Sequence, residues 1–95
     1  MVAGVVQIMI ALPPLTSLKE KRSVIRKIIA RTRNRFPVSV AEVDELDSLT
    51  TGVIGVALVS NSRRYVNSLI DQIVEYVDRL GLARIDDHQF EILHY

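Results

Sequence analysis

The sequence predicts an α+β sandwich: a four-stranded antiparallel sheet with two helices on one face. Three observations carry this. The chain has 95 residues, one domain's worth, and a domain of that size hides roughly two-thirds of its surface on folding. Apolar residues make up 48% and charged residues 24%, the balance of a globular chain and not a disordered one. The hydrophobic period then switches between strand and helix in the order strand, helix, strand, strand, helix, strand. A single domain over residues 1–95 is expected, because the length excludes dinucleotide-binding and eight-fold barrel scaffolds.

The first strand runs from Val2 to Leu12, a continuous apolar stretch rich in Val and Ile that reads as buried on both faces. Pro13 and Pro14 end it, since proline cannot donate to a sheet ladder. Ser17-Leu18-Lys19-Glu20 has the form of a capping box, with Ser17 capping the first turn and Glu20 reaching back. Behind it, Leu18, Arg22, Ile25, Ile29, Thr32 and Phe36 fall along one helical stripe with Ile28 beside it, and Phe36-Pro37 closes the helix. Val38 to Leu46 is the second strand, which turns acidic, and Thr50-Thr51-Gly52 marks a turn. Val53 to Val59 is the third strand, with Gly55 suggesting close backbone approach.

Ser60-Asn61-Ser62 offers caps for a second helix, whose buried stripe is Val66, Leu69, Ile70, Ile73, Val77 and Leu80. Gly81 stands where a left-handed C-terminal residue belongs. Arg84 to Tyr95 is the last strand, with Phe90 and Ile92 on one face. Two right-handed crossovers joined by a hairpin give the ferredoxin-like βαββαβ sandwich, in which the first and third strands are central.

The net charge of +1 conceals an asymmetry. Residues 1–40 carry +7 and residues 41–95 carry −6. The first helix holds Lys19, Lys21, Arg22, Arg26, Lys27, Arg31, Arg33 and Arg35 against Glu20 alone. Like-charged helical neighbours repel by a few tenths of a kcal/mol each, so something should offset them. Topology places Glu42, Asp44, Glu45 and Asp47 near the start of this helix, where they pair with Lys19, Lys21 and Arg22. Arg22, lying in the apolar stripe, reads as a structural cation whose head reaches those acids. The same topology joins Arg31, Arg33 and Arg35 to Arg63 and Arg64 at the opposite pole, a basic surface suited to phosphate.

Other constellations carry no chemistry. There is no cysteine, which removes disulfides, thiolate metal sites and thiol nucleophiles together. The hairpin carboxylates lack EF-hand spacing. His88 and His94, six residues apart at about 3.3 Å each, are too distant to share a metal. Ser60 and Ser62 have no nucleophile-elbow context, and the glycines build no phosphate-cradling loop. No catalytic residue, metal or cofactor is expected. Met1 to Leu15 lacks the charged start of a signal peptide and is too short to span a bilayer, so the default is a cytoplasmic protein without a membrane partner.

The strings Ser17-Leu18-Lys19-Glu20-Lys21-Arg22, Phe36-Pro37-Val38-Ser39-Val40-Ala41-Glu42-Val43-Asp44 and Gly55-Val56-Ala57-Leu58-Val59-Ser60-Asn61 resemble the YlxP-like family of small bacterial proteins (domain of unknown function 503). The resemblance covers nearly the whole chain and is most specific in the first string. It implies a ferredoxin-like fold, and association with translation and ribosome maturation, since such proteins are often encoded beside factors of those processes. Members often carry a Trp soon after the second-strand acids; here Asp47-Ser48-Leu49 stands in that place.

Together these readings predict a non-enzymatic protein that binds RNA or a ribosomal subunit. The expected contacts are to phosphate, because the central strands lack the stacking aromatics of an RNA-reading sheet. The alternative is a homodimeric regulatory or protein-interaction module that uses the open face of the sheet, where Val5 and Met9 fall if Val6, Ile8 and Ile10 face the helices.

Overall fold

In the computed structural model, which describes residues 1–95, six elements follow one another as expected: β1 (Val2–Ala11), α1 (Leu18–Arg35), β2 (Ser39–Asp44), β3 (Thr51–Ser60), α2 (Arg63–Arg79) and β4 (Arg84–His94). The strands form one antiparallel sheet in the order β2-β3-β1-β4. This is the ferredoxin-like arrangement, with β1 and β3 central.

The alternation of β1 settles which face is covered. Val2, Gly4, Val6, Ile8 and Ile10 are buried, whereas Val5 and Gln7 are exposed. The apolar run is therefore covered on one face, not two. The core lies between that face and the helices, built on Ile8, Ile54, Val56, Ile25, Ile28, Ile70 and Ile73 among others. Gly4 belongs to this packing: a Cβ there would stand 2.5 Å from a Val66 methyl and 3.2 Å from Ile70, so the glycine lets α2 settle on the sheet.

On the open face, positions 3, 5, 7 and 9 of β1, 53, 55, 57 and 59 of β3, and 39, 41 and 44 of β2 share one side of the sheet by register. Of these eleven residues only Asp44, opposite Val53, is charged. Gly55 faces this side, and what approaches it is not another backbone but Val43, whose methyl would come within 2.7 Å of an added Cβ. Val43 is the extra residue of a bulge between Glu42 and Asp44, which re-aims it over the sheet.

Both helix starts are capped as predicted in kind. Ser17 Oγ accepts from the Glu20 amide (3.2 Å) and Ser62 Oγ from the Tyr65 amide (3.2 Å). The Glu20 carboxylate goes one residue further back than a capping box requires, to the Thr16 amide (3.0 Å) and hydroxyl (2.7 Å). Gly81 takes φ +67° just past α2, the left-handed residue the sequence called for. No helix is long and apolar enough to cross a membrane.

The two helices are staggered. β2 begins opposite Ala57, three residues short of the end of β3 at Ser60, so α1 closes about 10 Å inside the end of the sheet. α2 starts beyond Ser60. The end of α1 therefore meets the second half of α2, with the Phe36 and Tyr76 rings edge to face at 5.4 Å and the Tyr76 hydroxyl donating to the Arg31 carbonyl at 3.4 Å.

Candidate nucleic-acid interface

The basic residues of α1 divide into three groups once the helix is seated. Lys21 leaves the surface. It is 1% exposed, its Nζ lies 3.2 Å from Glu42 Oε2, and it donates to the Glu45 carbonyl. Glu45 has φ 57°, an uncommon conformation for a residue with a side chain, and the lysine holds that turn from beneath. Glu42 Oε2 is buried and accepts no hydrogen bond, so its attraction to Lys21 is that of charges and not of an aligned donor.

This corrects two expectations. The structural cation is Lys21, not Arg22, which is exposed and unpaired. The buried stripe is Lys21, Ile25, Ile28 and Thr32, one position round from the stripe drawn through Arg22 and Ile29. The helix turns that way because β2 presents Glu42 on the covered face, and a buried carboxylate needs a cation there. Lys19 and Arg22 make no ion pair with the hairpin acids; among the four carboxylates only Glu42 is used this way.

The remaining seven cations of α1 are exposed and lie in two rows flanking the solvent face. Lys27, Arg31 and Arg35, spaced by four, run on the side of α2. Arg35 lies 5.0 Å from the centre of the Phe36 ring and lines a groove with Gln72, Glu75, Tyr76 and Arg79. Lys19, Arg22, Arg26 and Arg33 run on the side of β2. Arg33 donates to the Val40 carbonyl at 2.8 Å, which caps an outward group of this edge strand.

None of the seven is within ion-pairing distance of a carboxylate. The three ion pairs of the molecule are Lys21–Glu42, Arg79–Glu75 and Arg84–Asp86. Even Glu20, the one acid of α1, is turned to Thr16. The Thr16 amide, and then its hydroxyl, hold the Glu20 carboxyl below its ordinary value of 4.5.

Arg63 and Arg64 do not join these rows. The end of α1 stands beside Tyr76, twelve residues along α2 from Arg64, a distance of about 18 Å. Arg63 instead approaches His94 Nε2 at 2.9 Å. The single basic pole expected from topology is thus two separate patches, because strand order fixes which end a helix points to but not how far along the sheet it stops. Sequence reasoning overlooked Tyr76, which pins the end of α1; an aromatic next to the buried Val77 was the available signal.

Ser60 and Ser62 are occupied in the cap of α2, with Ser60 Oγ accepting from the Ser62 amide at 3.2 Å. No three His, Asp or Glu side chains converge as metal ligands would.

Comparisons with known proteins agree with this architecture. A Chloroflexus aurantiacus J-10-fl protein assigned as an antibiotic biosynthesis monooxygenase superposes over 100% of this chain and 95% of its own, with TM-score 0.56 and 17% identity. A de novo designed protein with a ferredoxin fold superposes over 98% of this chain and 83% of its own, with TM-score 0.55 and 10% identity. At such identities the likeness is one of fold alone. The Bacillus subtilis (strain 168) protein called "Uncharacterized protein YlxP" is 36% identical over 62 residues, covering 65% of this chain and 67% of the relative. The family described as "Protein of unknown function (DUF503)" matches residues 3–90, and the chain belongs to that family.

Proposed function

We propose that the chain is a non-enzymatic cytoplasmic protein that binds RNA through α1 and acts on a ribosomal subunit during maturation or translation. The observation that carries this reading is the row structure of α1: seven exposed Lys and Arg residues on one helix, none paired with a carboxylate. Unpaired like charges along one helix repel, and a polyanion relieves that repulsion. Guanidinium groups suit phosphate because they offer planar, paired donors. The two rows lie either side of the helix crest, so they can straddle a phosphate backbone and contact it without reading bases.

Co-sedimentation with purified ribosomal subunits over a salt series tests this. Log affinity should fall linearly with log salt, and each phosphate contact removed should flatten the slope by about 0.7–0.9. Replacing Lys27, Arg31 and Arg35 together by Ala should flatten it by about two, and so should replacing Lys19, Arg22 and Arg26. Preference for one subunit near physiological salt supports the reading. Binding only at low salt, or slopes unchanged in both triple variants, overturns it.

A further inference from the structure

The two edges of the sheet are not equally closed. β2 has six residues and a bulge at Val43, and its outward Val40 carbonyl already accepts from Arg33 at 2.8 Å. Each of these discourages a further strand from adding there. β4 has eleven residues, and its bulge, at Asp86, lies near one end. Beyond it the ladder with β1 runs unbroken from His88 to His94, about 20 Å of edge. That stretch holds no proline, lysine or arginine, the residues that most often blunt an edge.

The end of the ladder fixes which backbone groups face out. The Tyr95 amide donates to the Met1 carbonyl at 2.8 Å, and the Met1 amine donates to the Tyr95 carbonyl at 2.9 Å. Doubly bonded pairs recur at every second residue of an antiparallel ladder, so Leu93, Glu91 and Gln89 also turn their backbone groups to β1. His94, Ile92, Phe90 and His88 turn theirs away from the sheet. Of these outward groups only the His88 amide has a partner within the chain, Asp87 Oδ1 at 2.8 Å. The four side chains lie opposite Val2, Gly4, Val6 and Ile8, on the helix side of the sheet, where Phe90 is 50% exposed.

Charge decides which strand fits. Asp87 and Glu91 line the edge on the open face, opposite Met9 and Val5. On the helix side, Asp71 and Asp78 of α2 border a groove of about 360 Å³ together with Val74, Ile85 and His88. None of these four carboxylates is in an ion pair, whereas Arg84 and Arg79 are already held by Asp86 and Glu75. Nucleic acid would be repelled here. β4 of a second copy would crowd the free carboxylates of both chains along one seam. A basic strand meets neither obstacle.

We propose that an extended segment of another protein, alternating apolar and basic residues, adds to β4 as a fifth strand, antiparallel to it. Its backbone bonds Phe90, Ile92 and His94, which supplies affinity. Its apolar side chains lie over Phe90 and Ile92 beside α2, and its cations reach Asp87 and Glu91 on the other face. The proposal is independent of the RNA reading, because α1 packs toward β2 at the opposite edge of the sheet; failure of either leaves the other's measurement intact.

The probe is a short synthetic peptide alternating Val and Lys, titrated into isotope-labelled protein and read by NMR. Amide exchange at Phe90, Ile92 and His94 should slow at least about tenfold at saturation, while exchange at Gln89, Glu91 and Leu93, already bonded to β1, changes little. Asp87→Asn combined with Glu91→Gln should weaken peptide affinity about threefold to tenfold. N-methylation of the peptide amides that face β4 should abolish binding. Four results would each overturn the proposal: no exchange change at about 1 mM peptide, equal binding by the N-methylated peptide, equal binding by a peptide alternating Val and Glu, or a dimeric chain whose Phe90, Ile92 and His94 amides are protected before any peptide is added.

Discussion

The two helices rest on the same sheet but are held by different means. α2 lies over the interior of the sheet and buries Val66, Leu69, Ile70, Ile73 and Val77, an unbroken apolar stripe. α1 buries only Ile25 and Ile28 with Thr32 and a lysine, and Thr32 needs its hydroxyl satisfied by the Ile28 carbonyl at 2.7 Å. One helix is held mainly by burial; the other combines a thinner apolar strip with a charge latch. The difference shows how the chain can carry so many like charges on α1. Its attachment is made by polar fixings at both ends, Lys21 to the hairpin and Tyr76 to the Arg31 carbonyl, which leaves both flanks of the crest free for cations.

The largest expected effect tests the apolar half of that contrast. Ile73 is fully buried, and Ile73→Ala should cost about 2–5 kcal/mol in denaturant unfolding. Ile29→Ala on α1, at a partly buried position, should cost clearly less. Equal losses would mean that the two helices share the core evenly, against the packing described above.

The latch comes next. Lys21→Met keeps most of the side-chain volume but strands Glu42, whose Oε2 is buried with no hydrogen-bond donor. Glu42 retains some solvent contact at 16% exposure, which places the cost near the lower end of that for breaking a buried pair, about 3 kcal/mol. Lys21→Met combined with Glu42→Leu should recover most of it, and Arg22→Ala should stay within about 0.5 kcal/mol. If the double variant is no better than the single one, the lysine acts as a hydrocarbon spacer and the latch reading fails.

These two positions also mark what was legible in the sequence. All six elements, their order and the central strands followed from hydrophobic period, Pro and Gly punctuation and caps, because those signals are local. α2 was read with its buried stripe correct from Val66 to Val77, since an amphipathic helix declares its own face. α1 was read one position out of register because its buried face includes a lysine, and only the partner Glu42, supplied by another strand, makes that burial tolerable. The basic pole failed for a related reason. Its separation into two patches depends on β2 starting opposite Ala57, a register that no residue of α1 encodes. Gly4 was legible in principle, since a glycine inside an apolar strand signals close approach, and the side chain it admits is Val66.

Smaller effects sharpen the contrast at the helix ends. Ser17→Ala and Ser62→Ala each remove an acceptor for an amide of the first turn, and each should cost about 1 kcal/mol. Added salt should stabilise the unliganded protein through α1, because it screens repulsion among exposed cations while leaving the buried latch nearly untouched. Loss of that salt effect in the Lys27, Arg31 and Arg35 to Ala variant would confirm its source; an undiminished effect would place the repulsion elsewhere.

The smallest expected effect concerns Glu20, the acid that leaves its neighbouring cations alone. Its carboxylate accepts from the Thr16 amide and hydroxyl, and those bonds lower its pKa in the folded state from 4.5. The folded state therefore binds this proton more weakly than the unfolded state does. The linked stability is fully present above about pH 4.5 and is lost as the pH falls through the lowered folded value. Glu20→Gln removes the linkage but can still accept a hydrogen bond through its amide oxygen. The two proteins should differ most near pH 6–7 and converge toward pH 3, as read from urea midpoints at each pH. Cations beside a carboxylate would lower its pKa in the same direction, so Thr16→Ala separates the two causes. It should leave the Thr16 amide as donor and remove only the hydroxyl's share of the pH dependence, whereas added salt should erase the pH dependence if the surrounding cations were its source.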